Sequence, residues 1–227
     1  MDKKNFIVIP GELLSEDVRR AGNGTYIENN KVYSSIYGLA NVRNKIRVQP
    51  LSGKYIPSPG DVVIGIITDI TFSNWIVDIN SPYEGLLHVS EYPRRIEYED
   101  MSKYMRIGEL ILVKVKDVNS SMKIELTLRD RDLRILRGGR VVEISYTKLP
   151  RVIGRSGSMI SLLNRELNCN ILVGQNGRIW IKGSDVDMSI AIKAIQKIEK
   201  EAHTPGLTNR ITAFLKSAKN IKKGVEV

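Results

Sequence analysis

The 227-residue sequence holds one cysteine and two histidines. A single cysteine, Cys169, makes no intrachain disulfide, and with two distant imidazoles it makes no tetrahedral zinc site. Its neighbours are apolar, so it reads as a buried, inert thiol, which fits a reducing compartment and places the chain in the cytoplasm. No apolar run approaches the ~18 residues of a membrane-spanning helix, so no membrane partner is expected. The N-terminal stretch MDKKNFIVIPGE lacks the apolar region of roughly 7–15 residues and the cleavage site of a signal peptide. There is no Walker-type loop and no Gly-x-Ser-x-Gly elbow. His88 lies in GLLHVSE, and His203 ends a helical pattern, where a cation suits the helix dipole. The acidic groupings Glu97/Glu99/Asp100 and Asp130/Asp132 sit among arginines in polar stretches and read as solvated faces. No catalytic residue, no metal ligand and no cofactor is therefore expected. Acidic residues are also short, 25 against 35 Lys and Arg, for a net charge of +10. That surplus favours an anionic partner: nucleic acid first, then an anionic membrane surface or an acidic protein.

What is present falls into segments. Residues 1–58 read as a small N-terminal β domain. FIVIPGE is a short apolar run ended by Pro10 and Gly11. Tyr26, Ile27, Val32 and Tyr33 flank an Asn-Asn turn, which predicts a hairpin, and IRVQP adds a strand. Such a unit has little core and needs a neighbour to cover it. Residues 59–131 carry denser strand signal. Val62, Val63, Ile64, Ile66 and Ile67 precede a turn at Ser73-Asn74, and Trp75, Ile76, Val77 and Ile79 follow it. GLLHVS, ELILVKVKDVN and MKIELTLRD complete the set. These five β runs predict a closed antiparallel five-stranded barrel of the oligonucleotide-binding type. The long polar stretch EYPRRIEYEDMSKYMRIG suits the partly helical connection before its fourth strand.

Residues 140–202 change character. RVVEISYTKL reads as a strand and Pro150 starts a short helix. VIGRSG follows, and SMISLLNREL has helical spacing with Ser158 as a candidate cap. CNILVG and RIWIKG are strands joined at Gln175-Asn176-Gly177. Ser184 or Asp185 then caps a long helix whose face is Met188, Ala191, Ile192, Ile195 and Ile198. The order is β-α-α-β-β-α. Residues 203–227 read as a basic helix over about 208–218 with a frayed end. The chain as a whole is thus expected to be multidomain and mainly β, with a C-terminal α/β domain.

A lone Gly-x-x-Gly is usually an ordinary turn. At 154–157 it joins two helices inside the α/β unit, where the KH domain carries its RNA-contacting loop. Gly154 and Gly157 let a backbone approach closely, and the next helix offers free N–H groups to a phosphate. Residues 140–202 accordingly resemble a KH domain. PGDVVIGIITDI, WIVDINSPYEGLLHVSE and GELILVKVKDVN resemble the RNA-binding barrel repeated in the largest protein of the bacterial small ribosomal subunit. VIPGELLSEDVRRAGNGTYIENNKVYSSIYGLANV and VQPLSGKYIPSPGD resemble the start of the RNA-binding cap subunit of the archaeal exosome. The resemblance implies a non-catalytic subunit. It implies a trimeric cap on a hexameric ring of phosphorolytic RNase subunits, with the N-terminal domain docked on the ring. It also implies capture of single-stranded, poly(A)-rich RNA at its 3′ end and delivery into the ring. A free-standing translation- or ribosome-associated RNA-binding factor is the alternative, and a nuclease is a third reading.

Single-strand binders pair basic grooves with aromatic stacking platforms. The barrel candidates are Ser73, Asn74, Trp75, Tyr83, His88, Arg94 and Arg95. Trp75 opens an apolar run, so core packing and base stacking are both open. Phe72 reads as packing, and Tyr83 and His88 read either way. The KH candidates are Arg151, Gly154, Arg155, Ser156 and Gly157. Trp180 points opposite to Ile179 and Ile181, toward an exposed face or a neighbouring domain.

Overall fold

The computed structural model describes residues 5–94 and 101–225, with side chains as far as 218. Two compact units, Met1–Gly53 and Lys54–Val227, divide the chain. Among the described residues no helix is long and apolar enough to cross a membrane.

The first unit has strands β1 (Asn5–Val8), β2 (Leu13–Ser15), β3 (Thr25–Glu28), β4 (Lys31–Ser34), β5 (Gly38–Asn41) and β6 (Arg47–Pro50). They form two three-stranded sheets, ordered β1-β5-β6 and β2-β4-β3. The β3–β4 hairpin turns on Asn29 (φ 47°) and Asn30 (φ 61°), the left-handed pair that a two-residue hairpin loop requires. Tyr26 and Tyr33 face each other across it and stack at 5.6 Å. The fully covered core is small, formed by Val8, Ala40 and Val48. Alternation along β1 buries Val8 and leaves Ile7 and Ile9 each 60% exposed.

The second unit begins with the barrel strands β7 (Val62–Ile70), β8 (Asn74–Asp78), β9 (Gly85–His88), β10 (Leu110–Val118) and β11 (Ile124–Thr127). β8 alternates cleanly, with Trp75 and Val77 inside. The ring closes β7-β8-β9-β11-β10 and back to β7. One junction departs from the expected all-antiparallel closure, because β9 and β11 pair in parallel. The long connection after β9 carries the chain across the barrel end to β10, on the far side of β7, and the antiparallel β10–β11 pair then brings β11 back beside β9 in the same direction. A short strand, β12 (Arg134–Leu136), continues the β10 edge beyond β11. Helix α1 (Met101–Tyr104) and the residue after it close the barrel interior with Met101 and Met105. Trp75 is 0% exposed, and its indole Nε1 donates to the Met105 carbonyl at 3.3 Å.

The α/β part follows as β13 (Arg140–Glu143), α2 (Leu149–Ile153), α3 (Ser158–Leu167), β14 (Asn170–Val173), β15 (Arg178–Lys182), α4 (Asp185–Lys200) and α5 (Leu207–Val225). Its sheet is antiparallel in the order β13-β15-β14. One face is covered by helices around Val152, Leu163, Ile179 and Ile195, and Cys169 is buried in the same core. Ser184 caps α4 by accepting from the Asp187 N–H. Ser158 does not cap α3, contrary to the sequence reading. It already has helical angles, and Gly157, left-handed at φ 78°, holds the cap position. Helix α5 also outruns its expected end near 218. Its Lys- and Ala-rich sequence meets no glycine before Gly224, so nothing stops the helix earlier.

The barrel and the α/β part are joined through the β14–β15 turn. Asn176 is fully buried there. Its Oδ1 accepts from the Ile64 N–H at 3.3 Å, and its Nδ2 donates at 2.8 Å to the carbonyls of Ile64 and Ile79. Gln175 pairs with the Val62 backbone in both directions. Arg178, 4% exposed in its side chain, bridges Asp78 of the barrel and Glu143 of β13. Burial alone would raise the Asp78 carboxyl, but the Arg178 guanidinium and the Asn80 N–H outweigh it and hold it below the ordinary carboxylate range. Trp180 adds apolar weight as a member of the barrel core cluster, with Nε1 donating to the Gly138 carbonyl at 2.8 Å. Of its two expected settings, Trp180 occupies the one against a neighbouring domain.

Asn176→Ala strands the Ile64 N–H and the Ile79 carbonyl and leaves the Ile64 carbonyl only the long Arg178 contact at 3.5 Å, each stranded group worth about 1–3 kcal/mol. A loss of about 3 kcal/mol or more is expected by urea denaturation, whereas an unchanged midpoint contradicts the clamp. Trp75→Ala is expected to cost about 3–5 kcal/mol in the same assay, as for any large aromatic removed from a core.

Candidate nucleic-acid interface

The β7–β8 turn is tied at both ends. Thr71 N donates to the Asn74 carbonyl at 2.8 Å, and Asn74 N donates to Thr71 Oγ1 at 3.1 Å. The tie leaves Phe72 at the tip, 80% exposed. Sequence reasoning assigned Phe72 to packing and left Trp75 open between core and stacking; the structure exposes Phe72 and puts Trp75 in the core. Trp75 starts the inward phase of β8 and lies in the core, so it cannot stack on a base. Phe72 stands outside the strand phase and offers a flat apolar face.

Asn74 lies directly opposite His88 across the β8–β9 pair, and Ser73 accepts from the Val89 N–H through its carbonyl. The His88 Nδ1 accepts from the Ser90 N–H at 3.2 Å and sits 2.7 Å from the Ser90 hydroxyl. The neutral ring therefore keeps its proton on Nε2, as inferred from that pattern. These residues line a cleft of ≈ 280 Å³ whose far wall carries Lys116 and Lys123. Lys116 pairs with Glu91 at 2.7 Å. Burial pulls the Glu91 carboxyl up, yet hydrogen bonds from Lys116 and Thr127 more than offset it and keep it below its ordinary range. With Glu125 also on the wall, the two lysines are balanced by two carboxylates. The cleft is thus suited to a base, through stacking and hydrogen bonds, more than to a run of phosphates. Lys116 and Lys123 were missed in the sequence because they sit singly on alternating strands rather than in a basic cluster.

Tyr83, 38% exposed, stands at the other end of β8 and β9. The structure does not bring it to this cleft.

Cationic surface lies instead in a second barrel cleft, of ≈ 450 Å³, lined by Tyr92, Arg94, Arg134 and Arg137. No carboxylate is among the described residues lining it. Arg94 is exposed, as expected, and Arg95 lies outside the described residues. Arg134 and Arg137 escaped the sequence reading because they fall between the segments 59–131 and 140–202, where the structure forms β12.

In the α/β part the loop between α2 and α3 is strongly shaped. Gly154 (φ 75°), Ser156 (φ 51°) and Gly157 (φ 78°) all have positive φ. A Cβ on Gly154 would lie 2.7 Å from the Met159 backbone nitrogen, whereas one on Gly157 would meet nothing within 4 Å. Gly154 is therefore demanded by both backbone angle and packing, and Gly157 by angle alone. Arg151, Arg155 and Ser156 are exposed, and no side chain caps the start of α3, where the Ser158 N–H donates to the Arg155 carbonyl. The 174–177 turn, not this loop, meets the barrel, so the loop's outer face is left unobstructed by the docking. Among the described residues there is no group of His, Cys, Asp and Glu that could hold a metal ion.

Three family profiles match the chain in the order of these parts. They are "Exosome RNA binding protein RRP4 N-terminal domain" over residues 6–52, "S1 RNA binding domain" over 56–129 and "KH domain" over 139–187. The chain is 55% identical to Exosome complex component Rrp4 of Methanosarcina mazei over 98% of its own length and 85% of the relative's. It is 44% identical to the same component of Pyrococcus furiosus over 93% of its length and 83% of the relative's. A crystal structure described as an exosome complex RNA-binding protein superimposes with a TM-score of 0.69 at 38% identity, over 75% of this chain and 99% of that one. With an S1 barrel clamped to a KH domain behind an N-terminal domain of this kind, the chain belongs to the Rrp4 family of exosome complex components.

Proposed function

We propose that this protein is the non-catalytic RNA-binding cap subunit of an exosome, acting in the cytoplasm. Three copies cap a hexameric phosphorolytic ring, take hold of the 3′ end of single-stranded, poly(A)-rich RNA, and guide it into the ring for 3′-to-5′ degradation. The observation that carries the reading is the barrel cleft lined by Asn74, His88 and Lys123, with exposed Phe72 two residues before Asn74 in the β7–β8 turn and the arginine cleft elsewhere. Stacking supplies sequence-tolerant grip and the arginines supply phosphate attraction, the combination single-strand binders use. The first unit supports docking on the ring. Its covered core is small, and Ile7, Ile9, Leu13 and Ile27 are exposed, an apolar surface that a partner would bury.

Mixed with the ring subunits, the chain is expected to co-elute with them in size exclusion and to raise the rate at which the ring degrades a poly(A) substrate. Migration apart from the ring, together with copurification on ribosomes, would favour the free-standing factor instead. RNA loss with the purified chain alone would overturn the non-catalytic assignment.

Phe72→Ala is expected to weaken binding of a labelled oligoadenylate by about 1–3 kcal/mol, the loss of one stacked base. Equal affinity in fluorescence anisotropy removes Phe72 from the interface.

A further inference from the structure

The KH loop has a second side. Behind it lies a cleft of ≈ 540 Å³ whose other wall is the α4–α5 connection and the start of α5. Arg151 and Arg155 enter from the loop side and His203 from the connection, and all three are exposed. No carboxylate is among the described residues lining the cleft. Residues of β14 do not line it, so it is distinct from the space between the loop and the sheet.

The connection is a braced structure. Its carboxylate, Glu201, is bound by Lys197 and Arg210, each at 2.6 Å. Arg210 also donates to the Pro205 carbonyl and to Thr204 Oγ1, and so fixes the turn that carries His203. With Glu201 neutralised in this way, the wall presents cation and amide groups. The first intrahelical bond of α5 in this turn runs from Arg210 N to the Gly206 carbonyl. The N–H groups of Leu207, Thr208 and Asn209 therefore precede the helical ladder, and all three residues line the cleft. Ser158, at the start of α3, lines it from the opposite side.

We infer that this cleft binds a phosphate of a single RNA strand, so that the α4–α5 connection is a second RNA-contacting element of the KH domain. Two guanidiniums from the loop side and the His203 imidazole from the connection reach one cavity large enough for a phosphodiester with its sugar, and no carboxylate is among the described residues lining it. Thr208 and Asn209 supply hydroxyl and amide donors beside the backbone N–H groups. The inference rests on the proposed RNA-binding function and adds to it a contact outside the barrel.

The test is Thr208→Glu with Asn209→Glu in the full chain. Carboxylates in the first turn suit the dipole of α5, so the fold is expected to keep or gain thermal stability, while the cleft turns anionic. Oligoadenylate affinity should fall about fivefold, and the slope of log affinity against log salt should flatten by about 0.7–1.4, the release expected from one or two phosphates on a single strand. His203→Ala should move both readouts the same way by less. Unchanged affinity and slope in the double variant, with Phe72→Ala still weakening binding, overturn the inference and leave the RNA reading standing. If the unaltered chain binds no oligonucleotide at all, the RNA reading itself fails and takes the inference with it. If inorganic phosphate raises the melting temperature of the unaltered chain alone while RNA affinity is equal in both, the cleft holds free phosphate, and the inference is likewise overturned.

Discussion

The carboxamide of Asn176 is the constraint on which the second unit depends. A barrel strand end and a hairpin turn each carry backbone groups that need partners once buried. Asn176 meets both needs with one side chain, by matching its acceptor to the Ile64 N–H and its two donors to the Ile64 and Ile79 carbonyls. Only an amide has donors and acceptor at that spacing. Arg178 and Trp180, two and four residues on, lie on the same strand and add an ion pair and apolar area. Two domains that look separable along the sequence are in this way one body.

That rigidity bears on how the surface is divided. The clefts differ in chemistry. Around His88, cations and carboxylates are balanced. Around Arg94 and around Arg155, the described linings hold cations and no carboxylate. A strand that touches more than one of them is held at fixed separations, because the clamp leaves barrel and KH domain no hinge in the 174–177 turn. Net charge alone, read at the start as a general attraction for anions, thus resolves into local patches.

Much of this was legible in the residues. The Asn29-Asn30 hairpin, the five barrel runs and the β-α-α-β-β-α order follow from turn chemistry and apolar period, which are local. Gln175-Asn176-Gly177 was readable as a hairpin turn, but its role as a clamp was not, because its partners lie about a hundred positions away. Phe72 was read as packing and Trp75 was left open, because a strand's inward phase is fixed only once its first paired residue is known, and Asn74 is that residue. The parallel closure of β9 on β11 was likewise beyond local signals. Arg134 and Arg137 fell between the two segments read as domains, and the α5 helix was foreseen without the cleft it lines.

The two loop glycines differ in what holds them in place. Gly154 is fixed by the Met159 backbone pressing against the spot where a side chain would grow, so the fold itself retains it whatever the loop touches. Gly157 faces open space and is kept only by its backbone angle. Across a lineage in which the loop stopped meeting a ligand, the first glycine would persist and the second would drift to asparagine or aspartate, the residues that tolerate that angle. The two glycines are therefore tied to different constraints, packing at one end and backbone angle alone at the other.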